Sequence, residues 1–136
     1  MKKETLVYAY VCGDIIHIGH LLQLENGKAL GDKLIVGVLS DRAVMTRKPK
    51  PTLPFSERLR LVQALKCVDM VVPQNQYSPE INIKAMDIDI LMESQDHIGN
   101  DYLDQLEKEF KGRIIYTPYF PGQSSTSIKQ KIRGRR

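Results

Sequence analysis

Leu6-Val7-Tyr8-Ala9-Tyr10-Val11-Cys12-Gly13-Asp14-Ile15-Ile16-His17-Ile18-Gly19-His20 reads as a strand, a tight turn and the opening of a helix in succession. Leu6 to Val11 is apolar and β-branched enough for a strand buried in a parallel sheet, and Cys12-Gly13-Asp14 supplies the turn out of it. His17 and His20 then fall three apart, a spacing that puts both imidazoles on one face of a helix's first turn. At such a junction unpaired backbone N–H groups and the positive end of the helix dipole attract anions. Two ring nitrogens facing one anion act more naturally as an electrophilic clamp than as a base. Zinc is the weaker reading, because a third ligand is missing and the zinc-peptidase helix needs its histidines four apart with a Glu after the first. His97 stands alone and reads as structural or surface-placed.

With 136 residues, 42% of them hydrophobic, the chain fits one domain over residues 1–136 whose core needs no disulfide or metal staple. Cys12 and Cys67 are too few for the disulfide framework of a small secreted protein, so a reducing, cytoplasmic setting is expected. The apolar run after Met1-Lys2-Lys3 is too short for a signal peptide and no stretch approaches bilayer length, so no membrane partner is expected. The net charge of +4 is unevenly placed: all sixteen acidic residues precede Lys111, while Lys111, Arg113, Lys129, Lys131, Arg133, Arg135 and Arg136 crowd the end. That end lacks the interleaved aromatics of a single-strand reader and the signatures of common DNA modules, so no nucleic-acid partner is expected. A solvated basic helix end, or one that draws an anionic substrate toward a pocket, is the better reading.

The periodicity predicts a helix from about Gly19 to Leu30, a buried strand over Leu34 to Leu39 and one helical turn from Arg42 to Met45. A loop with Lys48, Pro49, Lys50, Pro51 and Pro54 follows. Ser56 is the expected N-cap of a helix through Leu65, followed by a strand over Val68 to Pro73 and a helix opened by Ser78-Pro79-Glu80. Further strands are expected over Ile88 to Met92 and Arg113 to Thr117, with an amphipathic helix Asp101 to Phe110 between them and a last helix from Ser124 to Thr126 onward. Five short strands alternating with helices define an α/β class, a single Rossmann-like domain whose five-stranded parallel sheet has helices on both faces. Ligands of such sheets bind beyond the carboxyl ends of the strands at the switch in strand order, so the first and last loops are expected to be neighbours.

The last loop carries the second constellation, Gly122-Gln123-Ser124-Ser125-Thr126-Ser127-Ile128-Lys129, at the start of the final helix. Its hydroxyls and amides suit a polyphosphate, although it is no Walker motif; the blander reading is one capping hydroxyl with the others solvated.

His17-Ile18-Gly19-His20 together with Gln123-Ser124-Ser125-Thr126-Ser127-Ile128-Lys129 resembles the HxGH nucleotidyltransferase superfamily. Ala29-Leu30-Gly31-Asp32-Lys33-Leu34-Ile35-Val36-Gly37-Val38, Ser40-Asp41, Glu57-Arg58 and Val68-Asp69 fall in the order and spacing of its small cytidylyltransferases, of which glycerol-3-phosphate cytidylyltransferase is the best-known small member. The resemblance implies in-line attack of an acceptor oxygen on the α-phosphorus of a nucleoside triphosphate, with pyrophosphate released and no covalent enzyme intermediate. It implies catalytic roles for His17, His20, Lys48 and Thr126, with Arg47 or Lys50 assisting Lys48. The nucleotide would be held by Val11, Cys12, Gly13, Gly19, His20, Met92, Asp96, Gly122, Gln123, Ser124, Ser125 and Thr126. Asp14, Lys50, Arg58 and Tyr119 would serve the acceptor, Arg58 by gripping its anion or by holding the loop, and Asp14 as ligand or cap. Mg²⁺ bridging phosphate oxygens and a homodimer are implied as well.

Two departures bear on the substrates. Tyr119-Phe120-Pro121-Gly122 replaces the Arg-Thr-x-Gly of the glycerol-phosphate enzymes, and Val11-Cys12-Gly13-Asp14 replaces their Gly-Thr-Phe-Asp. Both look more like cytidylyltransferases of phosphonate metabolism, which favours CTP and a small phosphonate or phosphate-monoester acceptor. Glu93-Ser94-Gln95-Asp96-His97 stands where relatives carry a Gly-Asp-Asp-Trp-like segment, which leaves the base open. Adenylyl transfer from ATP, as in FAD synthetase-like relatives, and a non-catalytic nucleotide-binding module are the alternatives.

Overall fold

Alternation along β1 (Leu6–Val11) divides the core in two: Tyr8 and Tyr10 pack on one side of the sheet, Val7 and Ala9 on the other, and all four are buried. The computed structural model describes residues 3–97, 99–118 and 125–134, without the side chains at 96 and 125–127. β1 pairs in parallel with β2 (Lys33–Leu39) and with β4 (Ile90–Ser94); β2 pairs with β3 (Met70–Gln74) and β4 with β5 (Arg113–Thr117). The order β3-β2-β1-β4-β5 makes one all-parallel α/β sheet whose direction of build-up reverses between β1 and β4. Leu34, Val36 and Val38 of β2 join Val7 and Ala9 against α1 (Ile18–Ala29) and α3 (Phe55–Gln63). Ile35 and Leu39 join Tyr8 and Tyr10 against α2 (Asp41–Met45), α4 (Glu80–Ala85) and α5 (Asp101–Glu109). Each such side chain taken fully from water contributes about 1.5–3 kcal/mol, which makes the doubly covered central strands the anchor of the fold.

Several predicted boundaries move, each for a tertiary reason. α3 starts at Phe55 with Pro54 as its N-cap, because the Pro54 carbonyl accepts from the amides of Glu57 and Arg58; Ser56, the expected cap, lies inside the helix. β3 starts two residues late. Val68 is held in a turn to Leu65, while the Asp69 carboxylate accepts from the Leu34 amide and from Lys28 at the foot of β2. β4 likewise runs from Ile90 to Ser94 instead of Ile88 to Met92, since Asp89 is spent on exchanging hydrogen bonds with Leu6. That shift brings Glu93 into the strand and buries it.

A polar network crosses the core around Tyr8. The Tyr8 hydroxyl donates to Gln74 Oε1 at 2.5 Å and accepts from Asn82 Nδ2 at 2.9 Å, and the Gln74 amide nitrogen serves the carbonyls of Gln76 and Tyr77. Gly37 makes room for it, for a Cβ there would fall on the Tyr8 hydroxyl. Among the described residues no helix is long and apolar enough to cross a membrane.

Candidate active site

Each histidine is locked by a backbone amide at the start of α1. His17 is the N-cap of α1, and its Nδ1 accepts from the Gly19 amide at 3.0 Å; His20 Nδ1 accepts from the His17 amide at 3.3 Å. A ring nitrogen that accepts from an N–H cannot itself carry a proton, so in both neutral rings the hydrogen sits on Nε2. The rings lie 4.1 Å apart, centroid to centroid, tilted by 37°. Burial lowers the His17 pKa, and burial with the charges of His17 and Lys48 lowers that of His20 to about 4. The pair thus offers two neutral Nε2–H donors at physiological pH.

Gly13, at φ +73°, makes the turn out of β1 that delivers Asp14. Asp14 is buried, and its carboxylate accepts from the amides of Thr52 (3.0 Å) and Leu53 (2.8 Å) and from Lys129. Burial pushes the Asp14 pKa up, but Lys129 and the two amides outweigh it and hold the group below its ordinary value. Arg58 has no exposed side-chain surface, and its guanidinium donates to the carbonyls of Cys12 (2.6 Å), Leu39 (2.7 Å) and Leu53 (3.1 Å) and to Asp41 (2.6 Å). Arg58 was expected to grip the acceptor or to hold the loop; geometry leaves only the second role, because its donors are spent inside the protein. Asp14 is likewise spent as a loop anchor. Together they fasten the segment that carries Lys48 and Lys50 to the ends of β1 and β2.

A cleft of about 710 Å³ opens over the carboxyl ends of β1 and β4. Val11, Cys12, Gly13, Asp14, His17, Gly19, His20, Met92, Lys48 and Lys50 line it, which brings together the described residues of the N-terminal and loop motifs. Arg47 turns away, pairing with Asp101 at 2.9 Å and lying over the rings of Tyr77 and Tyr102. Lys129, Gln130 and Arg133 of α6 (Ser125–Gly134) complete one wall, so the last helix does meet the first turn. Tyr119, Gly122, Gln123 and Ser124, and the side chains of Asp96, Ser125 and Thr126, lie outside the described residues.

Other lining residues had no role in the sequence reading. Gln23 of α1 donates to Thr117 Oγ1 (3.2 Å), which donates to the Glu93 carbonyl (3.2 Å), joining α1 to β5 and β4. Tyr10, Glu93 and His97 form the wall opposite α1. For Lys129 and Arg133 the signal was present, two cations one helical turn apart. Glu93 gave none, because its burial follows from the shift of β4.

The donor set does not build a site for Mg²⁺. Among the described residues no group of three or more His, Cys, Asp or Glu could hold a metal ion, and the carboxylates at the cleft, Asp14 and Glu93, are bonded to protein donors. A Mg²⁺ accompanying the triphosphate would rest on phosphate oxygens.

An all-parallel sheet with paired Nε2–H donors and cations at its switch point is suited to holding a polyphosphate. The chain belongs to the Cytidylyltransferase-like family, whose sequence profile matches residues 11–131. It is 35% identical over 133 residues to the bifunctional protein HldE of Campylobacter fetus, covering 96% of this chain and 28% of that protein. With HldE of Streptomyces coelicolor it shares 35% over 130 residues, 93% of this chain and 28% of the relative. The chain thus spans little more than a quarter of the relatives it matches. Among solved structures, a lipopolysaccharide core biosynthesis protein from Thermoplasma volcanium superposes with a TM-score of 0.78 at 25% identity, over 87% of this chain and 99% of that one. Pantoate-beta-alanine ligase from Francisella tularensis, complexed with an ATP analogue and beta-alanine, shares the fold (TM-score 0.62, 15% identity, 98% of this chain and 70% of that one).

Proposed function

We propose that the domain transfers an adenylyl group from ATP to a phosphorylated sugar. An acceptor phosphate oxygen attacks the α-phosphorus in line, the bond from that phosphorus to the bridging oxygen of the β-phosphate breaks, and pyrophosphate leaves. The observation that carries transfer at phosphorus is the tautomer of His17 and His20, two neutral Nε2–H donors at the mouth of a cationic cleft, while ATP and a sugar acceptor are suggested by the relatives. They would donate to phosphate oxygens that gain charge as the bond breaks, where a fixed donor is worth most. Lys48 would reach the α-phosphate and Lys50 the acceptor. Lys129 and Arg133, with Gly122, Gln123, Ser124, Ser125 and Thr126, would hold the β- and γ-phosphates. Val11, Cys12, Gly13, Gly19, Met92 and Asp96 would frame the nucleoside, with Tyr119 toward the acceptor. Mg²⁺ bound to the triphosphate would add charge neutralisation, and the working form would be a cytoplasmic homodimer.

The choice of ATP corrects the lean toward CTP and a phosphonate. CTP rested on the likeness to small cytidylyltransferases and the phosphonate on Tyr119 and the Val11 to Asp14 turn, whereas the relatives named above are HldE proteins and a lipopolysaccharide core biosynthesis protein. The latter name supports a sugar as the acceptor. A coupled pyrophosphate assay decides the matter, run with ATP and with CTP against sugar phosphates and small phosphonates. Turnover with ATP and a sugar phosphate is the expected result. Turnover with CTP alone would restore the cytidylyl reading, and binding without turnover would leave a nucleotide-binding module.

A further inference from the structure

The wall opposite α1 holds a third imidazole, and its chemistry is the reverse of the other two. Glu93 is fully buried and bonded at both carboxylate oxygens: the Tyr10 hydroxyl lies 2.8 and 2.7 Å from them, and His97 Nδ1 lies 2.7 Å from Oε1. Carboxylate oxygens accept, so Tyr10 donates its single hydroxyl hydrogen to Glu93. Tyr102, 2.5 Å from the Tyr10 oxygen, must then donate to Tyr10, and Asn100 donates to Tyr102 at 3.3 Å. The chain of donors runs one way and ends on Glu93, which forces the His97 hydrogen onto Nδ1. The ring of His97 stacks on that of Tyr10 at 5.7 Å, and the residue lines the cleft. Its Nε2 has no partner among the described residues and, in the neutral ring, carries a lone pair.

Resting on the proposed adenylyl transfer, we propose that His97 is a specificity residue for the acceptor, its Nε2 accepting a hydrogen bond from a hydroxyl of a phosphorylated polyol. Position supports the assignment. His17 and His20 sit at the start of α1, on the sheet face covered by α1 and α3, whereas Tyr10 and Tyr102 belong to the face covered by α4 and α5. In-line displacement puts the attacking oxygen and the leaving pyrophosphate on opposite sides of the phosphorus. If pyrophosphate leaves toward His17, His20 and α6, the acceptor enters from the side of His97. A phosphate bearing no hydroxyl has nothing to offer a bare Nε2, so this nitrogen selects for hydroxylated acceptors.

The test has two arms. In ¹⁵N imidazole spectra of the wild-type chain, His97 is expected as the Nδ1–H tautomer and His17 and His20 as Nε2–H; glucose 1-phosphate should shift the His97 Nε2 signal, and methyl phosphate should not. In the pyrophosphate assay with ATP, His97→Gln, which can still donate to Glu93, is expected to raise the KM for glucose 1-phosphate about tenfold while the KM for ATP stays within about twofold. Glu93→Gln lets the ring turn its tautomer over and is expected to lose the same preference for glucose 1-phosphate over methyl phosphate. An Nε2–H tautomer for His97, an Nε2 signal indifferent to both phosphates, or a rise in the KM for ATP instead overturns the assignment. Should no nucleotide be turned over, the transfer reading falls, while the spectra still decide the role of His97.

Discussion

The Lys129 ammonium on the last helix meets the Asp14 carboxylate in the first turn, closing a contact between residues 115 apart in the sequence. Asp14 already receives two loop amides, so one buried carboxylate fixes α6, the turn before α1 and the segment bearing Lys48 relative to one another. Asp14→Ala leaves two amides and an ammonium without their acceptor. The expected loss of stability is about 2–4 kcal/mol, read by urea denaturation, with amide exchange of α6 accelerating beyond that of β1. Equal acceleration in both elements would show that α6 does not depend on this contact.

On the proposed transfer, replacing either histidine of the pair removes a donor aimed at developing charge. His17→Ala and His20→Ala are each expected to lower kcat by about 10²–10³, some 3–4 kcal/mol of barrier, with a much smaller change in ATP affinity. Steady-state rates beside calorimetric titration of ATP separate the two effects. Parallel losses of rate and affinity would mean that the rings bind the ground state. His17→Asn keeps a side-chain acceptor for the Gly19 amide, so it should recover the helix cap without recovering the rate.

Acid should act on this site through the histidines. The unfolded chain takes up a proton at each near pH 6.5, whereas folded His20 does so only near 4 and folded His17 below its ordinary value. Protons therefore favour the unfolded state across that interval. The histidine contribution to stability is complete above about pH 6.5, declines as the pH falls toward 4 and changes no further below that. Asp14, whose pKa is also lowered, adds a loss of the same sign at lower pH. Urea midpoints from pH 7 to 4, beside NMR titration of the His20 ring, check both the sign and the interval; a His20 midpoint near 6.5 would contradict it.

Arg58 is expected to behave as an internal strut. Arg58→Ala strands the Asp41 carboxylate and three carbonyls, at an expected cost of about 3–5 kcal/mol. Arg58→Lys keeps the charge but not the fork, so it should also be strongly destabilising. Thermal denaturation measures the loss, and the acceptor KM of whatever folds should stay near that of wild type. A variant of native stability with a raised acceptor KM would return Arg58 to the substrate.

The parts of this molecule that could be read from the chain are those fixed by nearby residues. Val7 and Ala9 alternate with Tyr8 and Tyr10, and His17 and His20 share a helical turn, so β1, the turn and the clamp follow from local periodicity. Ser56 has the look of a cap but lies inside α3, because a carbonyl, that of Pro54, starts the helix and no side-chain pattern announces a carbonyl. Arg58 and Glu93 resemble ordinary surface charges in sequence; both are buried by partners 17 to 83 residues away, Asp41 and Cys12 for one and Tyr10 for the other. Lys129 lies between these cases, visible as the last residue of a motif but not as the partner of Asp14.

The nitrogens that begin α1 also decide which end of each imidazole carries its hydrogen. Fraying of that first turn would free His17 Nδ1 and His20 Nδ1 from the backbone and let either ring exchange tautomers, so helix initiation and chemical competence share one equilibrium. Slow exchange at the amides of His17 and Gly19 would report that both rings are held in the Nε2–H form.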